Sequence, residues 1–462
     1  MEQRSSARLW AALGGDPGLP GHVRFVPRVP SGGAGGVLPA RLPVRELARS
    51  TVAVCALAAA EFAARRAGTA VPEVRVDDGA VATAFVSERH LRVDGRAPTT
   101  FAPLSRFWRT DGGWLRTHAN YPHHRARLLS ALGLPDGGAT VEAVAAELAR
   151  RRAEDVEELV YAAGGLAVAV RSPRQWSAHP QGVAVARLPL VGMEPLDGAP
   201  APPMPSSGPR VLDLTRVIAG PVATRTLALL GADVLRIDSP HLPESADAHA
   251  DTGFGKRSAL LDLASRSGRA SFEELLAKAH VVVTGYRPGA LARFGLSAGE
   301  LAERRPGLVV AELSAWGGPG AGPWGGRRGF DSLVQAASGI AVTEGGADGR
   351  PGVLPAQALD HGTGYLLAAA VLRSLTDQRG GGGSRHVRLA LARTAHWLLH
   401  ELEESGEPEE TRKPYDPADW LAETDGPLGR LRHAVSPVAY GGGPQGWARP
   451  PGRPGADGPG WV

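Results

Sequence analysis

The sequence predicts an α/β protein, a doubly wound parallel sheet with a smaller α+β domain beside it. Three observations predict it. Through residues 211–391, short runs rich in β-branched residues alternate with segments of helix length. Those runs are apolar throughout rather than at every second position, the pattern of strands covered on both faces. The tract 198–209 (GAPAPPMPSSGP) holds five prolines in twelve residues, admits no regular structure, and separates this half from one with a different rhythm.

Taken in order after that linker, residues 211–214 read as a strand and 221–230 as a helix. Pro221 suits the opening turn, where its missing N–H has no partner to lose. Strands follow at 234–237, 281–283 (behind an amphipathic helix at 268–279) and 308–313. Helices at 331–338 and 361–377 lead to a last strand at 386–391. In such sheets ligands sit beyond the carboxyl ends of the strands, at helix N-termini. Ahead of the linker, 45–66 reads as an alanine-rich helix and 73–76 as a strand. Another strand is expected at 114–117, helices at 123–132, 141–152 and 155–162, and a strand at 167–170. The Gly/Pro-rich tail from 429 is expected to wrap the surface.

Of 462 residues, 43 % are apolar and 21 % charged, enough chain for two or three domains. A formal charge of +4 without a dense Lys/Arg stripe argues against nucleic acid as a partner, yet suits a ligand that carries phosphates. Cys55 is the sole cysteine, which excludes an intramolecular disulfide and a multi-cysteine metal site; its apolar setting predicts burial. The longest apolar runs fall short of the ~20 residues that cross a bilayer, and no export signal stands out. The expected location is the cytoplasm, with no membrane partner.

A weak internal repeat lays 42–86 over 354–397. Each copy has a Leu-Pro start, an alanine-rich helix, a glycine turn and a Val-Arg strand. Ala48 stands where the second copy has Asp360. Two unrelated helices of similar composition would look alike too.

Residues 210–238 (RVLDLTRVIAGPVATRTLALLGADVLRID) form a strand, a turn, a helix and a strand ending in an acid, a crude dinucleotide-binding unit. The fingerprint G-x-G-x-x-G is absent, which disfavours a nicotinamide nucleotide, but the helix N-terminus still suits an anion. Four further phrases follow in order: GKRSALLDL (255–263), HVVVTGYRPGALARFGL (280–296), GFDSLVQAASG (329–339) and LPAQALDHGTGYLLAAAVL (354–372). Together the five resemble the successive signatures of the class III CoA-transferases, the group with formyl-CoA and carnitine CoA-transferases and the acyl-CoA racemases. Residues 104–188 resemble that family's smaller C-terminal domain, which here precedes the aspartate region instead of following it. Residues 429–457 resemble the family's closing segment.

The resemblance implies a Rossmann-like CoA-binding catalytic domain at 210–404. It divides the rest into an incomplete first copy at 1–100, the smaller domain at 101–197, the linker at 198–209, and a charged linker with wrapping tail at 405–462. Family members form interlocked dimers, so the chain is expected either as a homodimer or as a fused pseudo-dimer in one chain. The reaction implied moves CoA from an acyl-CoA donor to a carboxylic acid acceptor. Coenzyme A is a substrate, and no permanently bound cofactor is expected. Asp360 matches the nucleophilic aspartate, which forms an anhydride and then a thioester with CoA. At a helix start the dipole is expected to keep it ionised; service as a helix cap is the bland alternative. His361 reads as a surface or capping histidine.

Arg216, Ile218, Ala219, Gly285, Tyr286, Arg293, Arg328 and Phe330 match the family's CoA-contacting positions. Arginine grips phosphate bidentately, and a solvated helix-end cation is the other reading of Arg293. Departures accompany the match. Ser239-Pro240 replaces a basic residue after the second strand, 239–255 is short, and no glycine-rich flap is evident, 380–383 being a turn. Phe330 occupies the position where racemases carry a histidine base, which argues against racemisation by that route. Trp316 and Trp324 are candidates to line a substrate pocket. His118, His123 and His124 lie close in sequence, but no Cys or Asp completes a set, and no metal is expected. Two other readings stay open: a catalytically silent CoA-binding relative, and a 2-methylacyl-CoA isomerase using a base other than histidine.

Overall fold

The computed structural model describes residues 4–30, 37–99, 101–137, 140–403 and 413–462. Its centre is a seven-stranded sheet: β1 (Gly192–Pro195), β2 (Arg210–Leu214), β3 (Asp233–Asp238), β4 (Arg257–Leu260), β5 (Val281–Thr284), β6 (Val309–Ser314) and β7 (Arg385–Ala390). The spatial order is β4-β3-β2-β5-β6-β7-β1, parallel except for β1, which closes the β7 edge antiparallel. Alternate residues of one strand serve opposite faces. Val211, Val281, Val283 and Val309 join the core on one side, while Leu212, Val282 and Val310 join the core on the other. This is the doubly wound parallel sheet the β-branched runs predict.

Two of its strands escaped the sequence reading. β4 (RSAL) and β1 (GMEP) are four residues each and carry no continuous apolar run. Both are edge strands, where neighbours on one side suffice. β1 lies within 101–197 by sequence but belongs to the large sheet by pairing.

Helix α1 (Val44–Ala67) and helix α4 (Ala358–Gly381), which carries Asp360, are both 24 residues long and pack against each other. Both are buried on nearly every side, with no single apolar face, as helices enclosed by protein are. α1 is the one helix among the described residues long and apolar enough to cross a membrane, yet 94 % of that stretch is buried inside the protein. Each follows a residue in the same uncommon conformation, Pro43 at φ −73°, ψ 56° and Gln357 at φ −75°, ψ 63°. The two alanine-rich segments are thus paired in space as well as alike in sequence. Cys55 is buried in α1. α4 also packs directly on β6 and β7, and α2 (Ala219–Leu229), α3 (Asp331–Ser338) and α5 (Leu391–His400) pack beside it.

The smaller unit is α+β: strands Phe107–Thr110, Gly113–Thr117 and Ala167–Ala169 form an antiparallel sheet, and Leu128, Leu129, Val144, Val156 and Val160 pack on it from three helices. The strand Val74–Asp77 pairs in parallel with Val23–Val26, apart from the large sheet. The tail spans both halves. Gly429–Ala434 pairs with Arg92–Val93, and further on the Trp447 and Trp461 indoles donate to the carbonyls of Arg225 and Leu275. Most of the charged linker expected at the head of 405–462 lies outside the described residues.

Candidate active site

The strand order reverses between β2 and β5, so the loops leaving their carboxyl ends diverge and open a crevice. The loop after β2 is built from within. Asp213, fully buried, accepts from the Thr215 backbone N–H (3.0 Å), from the Thr215 and Thr224 hydroxyls, and from the Lys256 ammonium at 3.0 Å. Burial lowers the Lys256 pKa to about 8, while Lys256 and neighbouring Arg236 hold Asp213 below the usual carboxylate range against its own desolvation. Val217 takes φ +71°, a conformation a β-branched residue adopts only when its surroundings impose it. Glu244 does so by accepting the Val217 N–H at 2.9 Å.

Asp360 is the third residue of α4 and only 6 % exposed. It is not the helix cap. That service falls to Asp331, at the start of α3, whose Oδ2 accepts the backbone N–H groups of Leu359 (2.9 Å) and Asp360 (3.0 Å). The Gln335 amide donates to the other Asp331 oxygen and itself accepts the Leu354 N–H at 2.9 Å. The order expected from the helix dipole is therefore reversed. The N–H groups serve Asp331, and burial together with the Asp331 and Glu88 carboxylates pushes the Asp360 pKa well above the usual carboxylate range. Burial raises Asp331 itself to about 6.

A cavity of about 600 Å³ runs along the crevice to Asp360. Arg216, Ala219, Gly285, Tyr286, Arg293, Arg328 and Phe330 line it, so most of the residues singled out by sequence come together. Ile218 does not; it caps α2 and packs toward the core. Arg216 lines the cavity, but its guanidinium is engaged. It donates to the carbonyls of Leu242 (3.0 Å) and Pro243 (2.9 Å), pairs with Glu244, and lies over the Tyr121 ring. That leaves Arg287, Arg293 and Arg328 as lining arginines with no carboxylate partner among the described residues. Arg293 stacks on Phe294 at 4.6 Å, and burial with nearby Arg287 and Arg127 lowers the Arg328 pKa. Ser239 and His241 also line the cavity where the expected basic residue is missing.

The structure corrects two further sequence expectations. His361 is fully buried rather than on the surface, stacked on Phe85 with ring centres 5.3 Å apart. Trp316 and Trp324 are 0 % and 2 % exposed and pack with Trp176 instead of lining the cavity. His118 stacks on Phe330 at 3.7 Å, and His123 and His124 join the cavity wall from the smaller unit. Asp331, Arg287 and Tyr121 are the lining or capping residues that sequence reasoning passed over. Asp331 and Arg287 sit inside quoted motifs, directly beside Phe330 and Tyr286.

An α/β domain with a buried carboxylate at the end of an arginine-rimmed crevice is suited to a phosphate-bearing ligand whose reactive end reaches inward. Residues 207–414 match the model of CoA-transferase family III. A probable fatty acyl-CoA transferase of Mycobacterium tuberculosis is 33 % identical over 203 residues, 41 % of this chain and 51 % of the relative. An acetyl-coenzyme A transferase of Hypoxylon pulicicidum is 35 % identical over 208 residues, 44 % of this chain and 35 % of the relative. A formyl-CoA:oxalate CoA-transferase of Streptomyces coelicolor is 33 % identical over 195 residues, 40 % of this chain and 47 % of the relative. The chain spans about half or less of the length of these relatives. A solved structure of the Mycobacterium tuberculosis protein superposes with TM-score 0.40 and 34 % identity over 44 % of this chain and 56 % of that one.

Proposed function

We propose that this protein is a CoA-transferase that moves CoA between an acyl-CoA and a carboxylic acid, with Asp360 as nucleophile. The observation that carries the reading is the position of Asp360, buried at one cavity whose wall also holds Arg287, Arg293 and Arg328. Arginines without carboxylate partners suit the phosphates of CoA, and the buried Asp360 suits a thioester brought to the inner part of the cavity. The Asp360 carboxylate attacks the thioester carbonyl and expels CoA thiolate, giving an acyl-aspartyl anhydride. The thiolate then attacks the aspartyl carbonyl, releases the donor acid and leaves an aspartyl-CoA thioester. The acceptor carboxylate attacks that thioester and again expels the thiolate. Attack of the thiolate on the acceptor carbonyl forms the new acyl-CoA and frees Asp360. Exclusion of water matters because both covalent intermediates hydrolyse.

The paired 24-residue helices support a fused pseudo-dimer with a single nucleophile per chain, since Ala48 stands at the matching position of the first copy. The cytoplasm is the location we propose for it. The test is mass spectrometry of the protein after exposure to a panel of acyl-CoAs, with hydroxylamine trapping. A hydroxamate at Asp360, absent in Asp360→Ala, is the expected result. A wild type that binds CoA yet never forms the adduct supports the silent relative instead, and solvent deuterium at the α-carbon of a 2-methylacyl-CoA supports the isomerase.

A further inference from the structure

The buried ionisable groups around Asp360 outnumber those its capping network uses. His361 is the next residue on α4, fully buried, and neither ring nitrogen has a hydrogen-bond partner. Its Nε2 lies 3.5 Å from Glu88 Oε2, and that oxygen is likewise buried without a hydrogen bond. Glu88 sits on the short helix Ser87–His90, in the N-terminal part of the chain, directly after the segment that repeats the Asp360 region. Phe85, from the same stretch, stacks on both His361 and Tyr365 and fixes the approach of the two elements. Thus the part of the chain that lacks its own nucleophile delivers an acid to the helix turn that carries one.

Resting on the reading of Asp360 as nucleophile, we propose that Glu88 and His361 form a charge pair across the seam between the two copies, and that this pair sets the ionisation of Asp360. Both are positioning residues. Asp331 from α3 and Glu88 from the N-terminal part of the chain act on Asp360, and His361, the next residue on α4, faces Glu88 and acts on Asp331. Glu88 is faced in turn by His361, Arg89 and, beyond it, His90. The Glu88 and Asp331 charges both act on Asp360, and in the proposed pair His361 offsets that of Glu88. Removing the acid and removing the base must then act on Asp360 with opposite sign.

The experiment compares wild type with Glu88→Gln, His361→Gln and the double variant. It reads the pH dependence of Asp360 labelling by a water-soluble carbodiimide, located by peptide mass spectrometry, beside the acid limb of CoA transfer. Glu88→Gln should move the Asp360 midpoint to lower pH and His361→Gln to higher pH, each by about half a unit or more, with the double variant between them. Midpoints that stay put in both single variants, or move the same way, overturn the pair, even if both variants lose stability. Should Glu88→Gln fail to fold, the upward shift in His361→Gln decides alone. Labelling needs no turnover, so an inactive wild type sinks the transferase reading while the charge pair is still judged by its own midpoint.

Discussion

Gly364 sits four residues beyond Asp360 on α4, where the helix meets α2. A Cβ there would lie 2.6 Å from the Ala219 carbonyl oxygen and 3.0 Å from Val222 Cβ and Cγ1. The carbonyl is backbone of the first turn of α2 and cannot give way without moving the 215–219 loop. Gly364→Ala must therefore push the two helices apart. Overpacking of this kind costs ~1–3 kcal/mol, against which replacing a helical glycine returns at most ~1 kcal/mol. Gly362, two residues nearer Asp360, is the control. Its Cβ would meet Leu47 Cδ2 at 2.6 Å, the far end of a flexible side chain, and otherwise only Leu47 Cγ and Thr51 Cγ2 at 3.6 and 3.7 Å. Gly362→Ala should thus be neutral or up to ~1 kcal/mol stabilising. Urea unfolding of both variants measures the difference, which we expect to be about 1–3 kcal/mol. Because Asp360 shares the helix, Gly364→Ala should also lose roughly tenfold or more in CoA transfer at equal folded fraction. A Gly364→Ala protein as stable and active as Gly362→Ala would refute the close approach of α2 and α4.

Asp331→Ala removes the acceptor for two buried N–H groups and the partner of the Gln335 amide. It should cost ~2–4 kcal/mol in urea unfolding and move the acid limb of turnover to lower pH, because Asp360 loses a neighbouring negative charge. Arg287→Ala or Arg293→Ala should each weaken CoA binding about tenfold, measured calorimetrically, and reduce its salt dependence. His118 and His124 are held neutral by burial, His118 far below and His124 down to about 3 from the usual imidazole value. The unfolded chain takes up these protons below about pH 6.5 and the folded chain does not, so stability is full above that pH and is lost as it falls toward 3. Denaturant midpoints across that window check this, and His124→Asn should flatten the loss.

Much of the fold was legible because buried parallel strands announce themselves. Runs such as Val281–Thr284 and Val309–Ser314 serve two cores at once and can hold little but apolar residues. β1 and β4 were not legible, since edge strands of four residues need no such run. At the site, contiguous motifs brought Asp360, Tyr286, Arg293, Arg328 and Phe330 to notice, and these do meet at one cavity. Glu244 and Glu88 were silent because each acts across a large sequence separation. Glu244 reaches Arg216 and Tyr121, and Glu88 reaches His361.

The linear order of residues alone settled the α/β class, the crevice-forming strand–turn–helix at 210–229 and the candidacy of one aspartate. Local backbone preference and burial pattern are written in neighbouring residues. Only the folded chain decided which acid caps α4 and which is left uncapped at the cavity, which arginines are engaged and which face the cavity, and that Phe85 and Glu88 lie beside the residue next to Asp360. Those outcomes depend on distances between residues far apart in the chain, and on competition for the same few N–H groups and charges, which no stretch of sequence records.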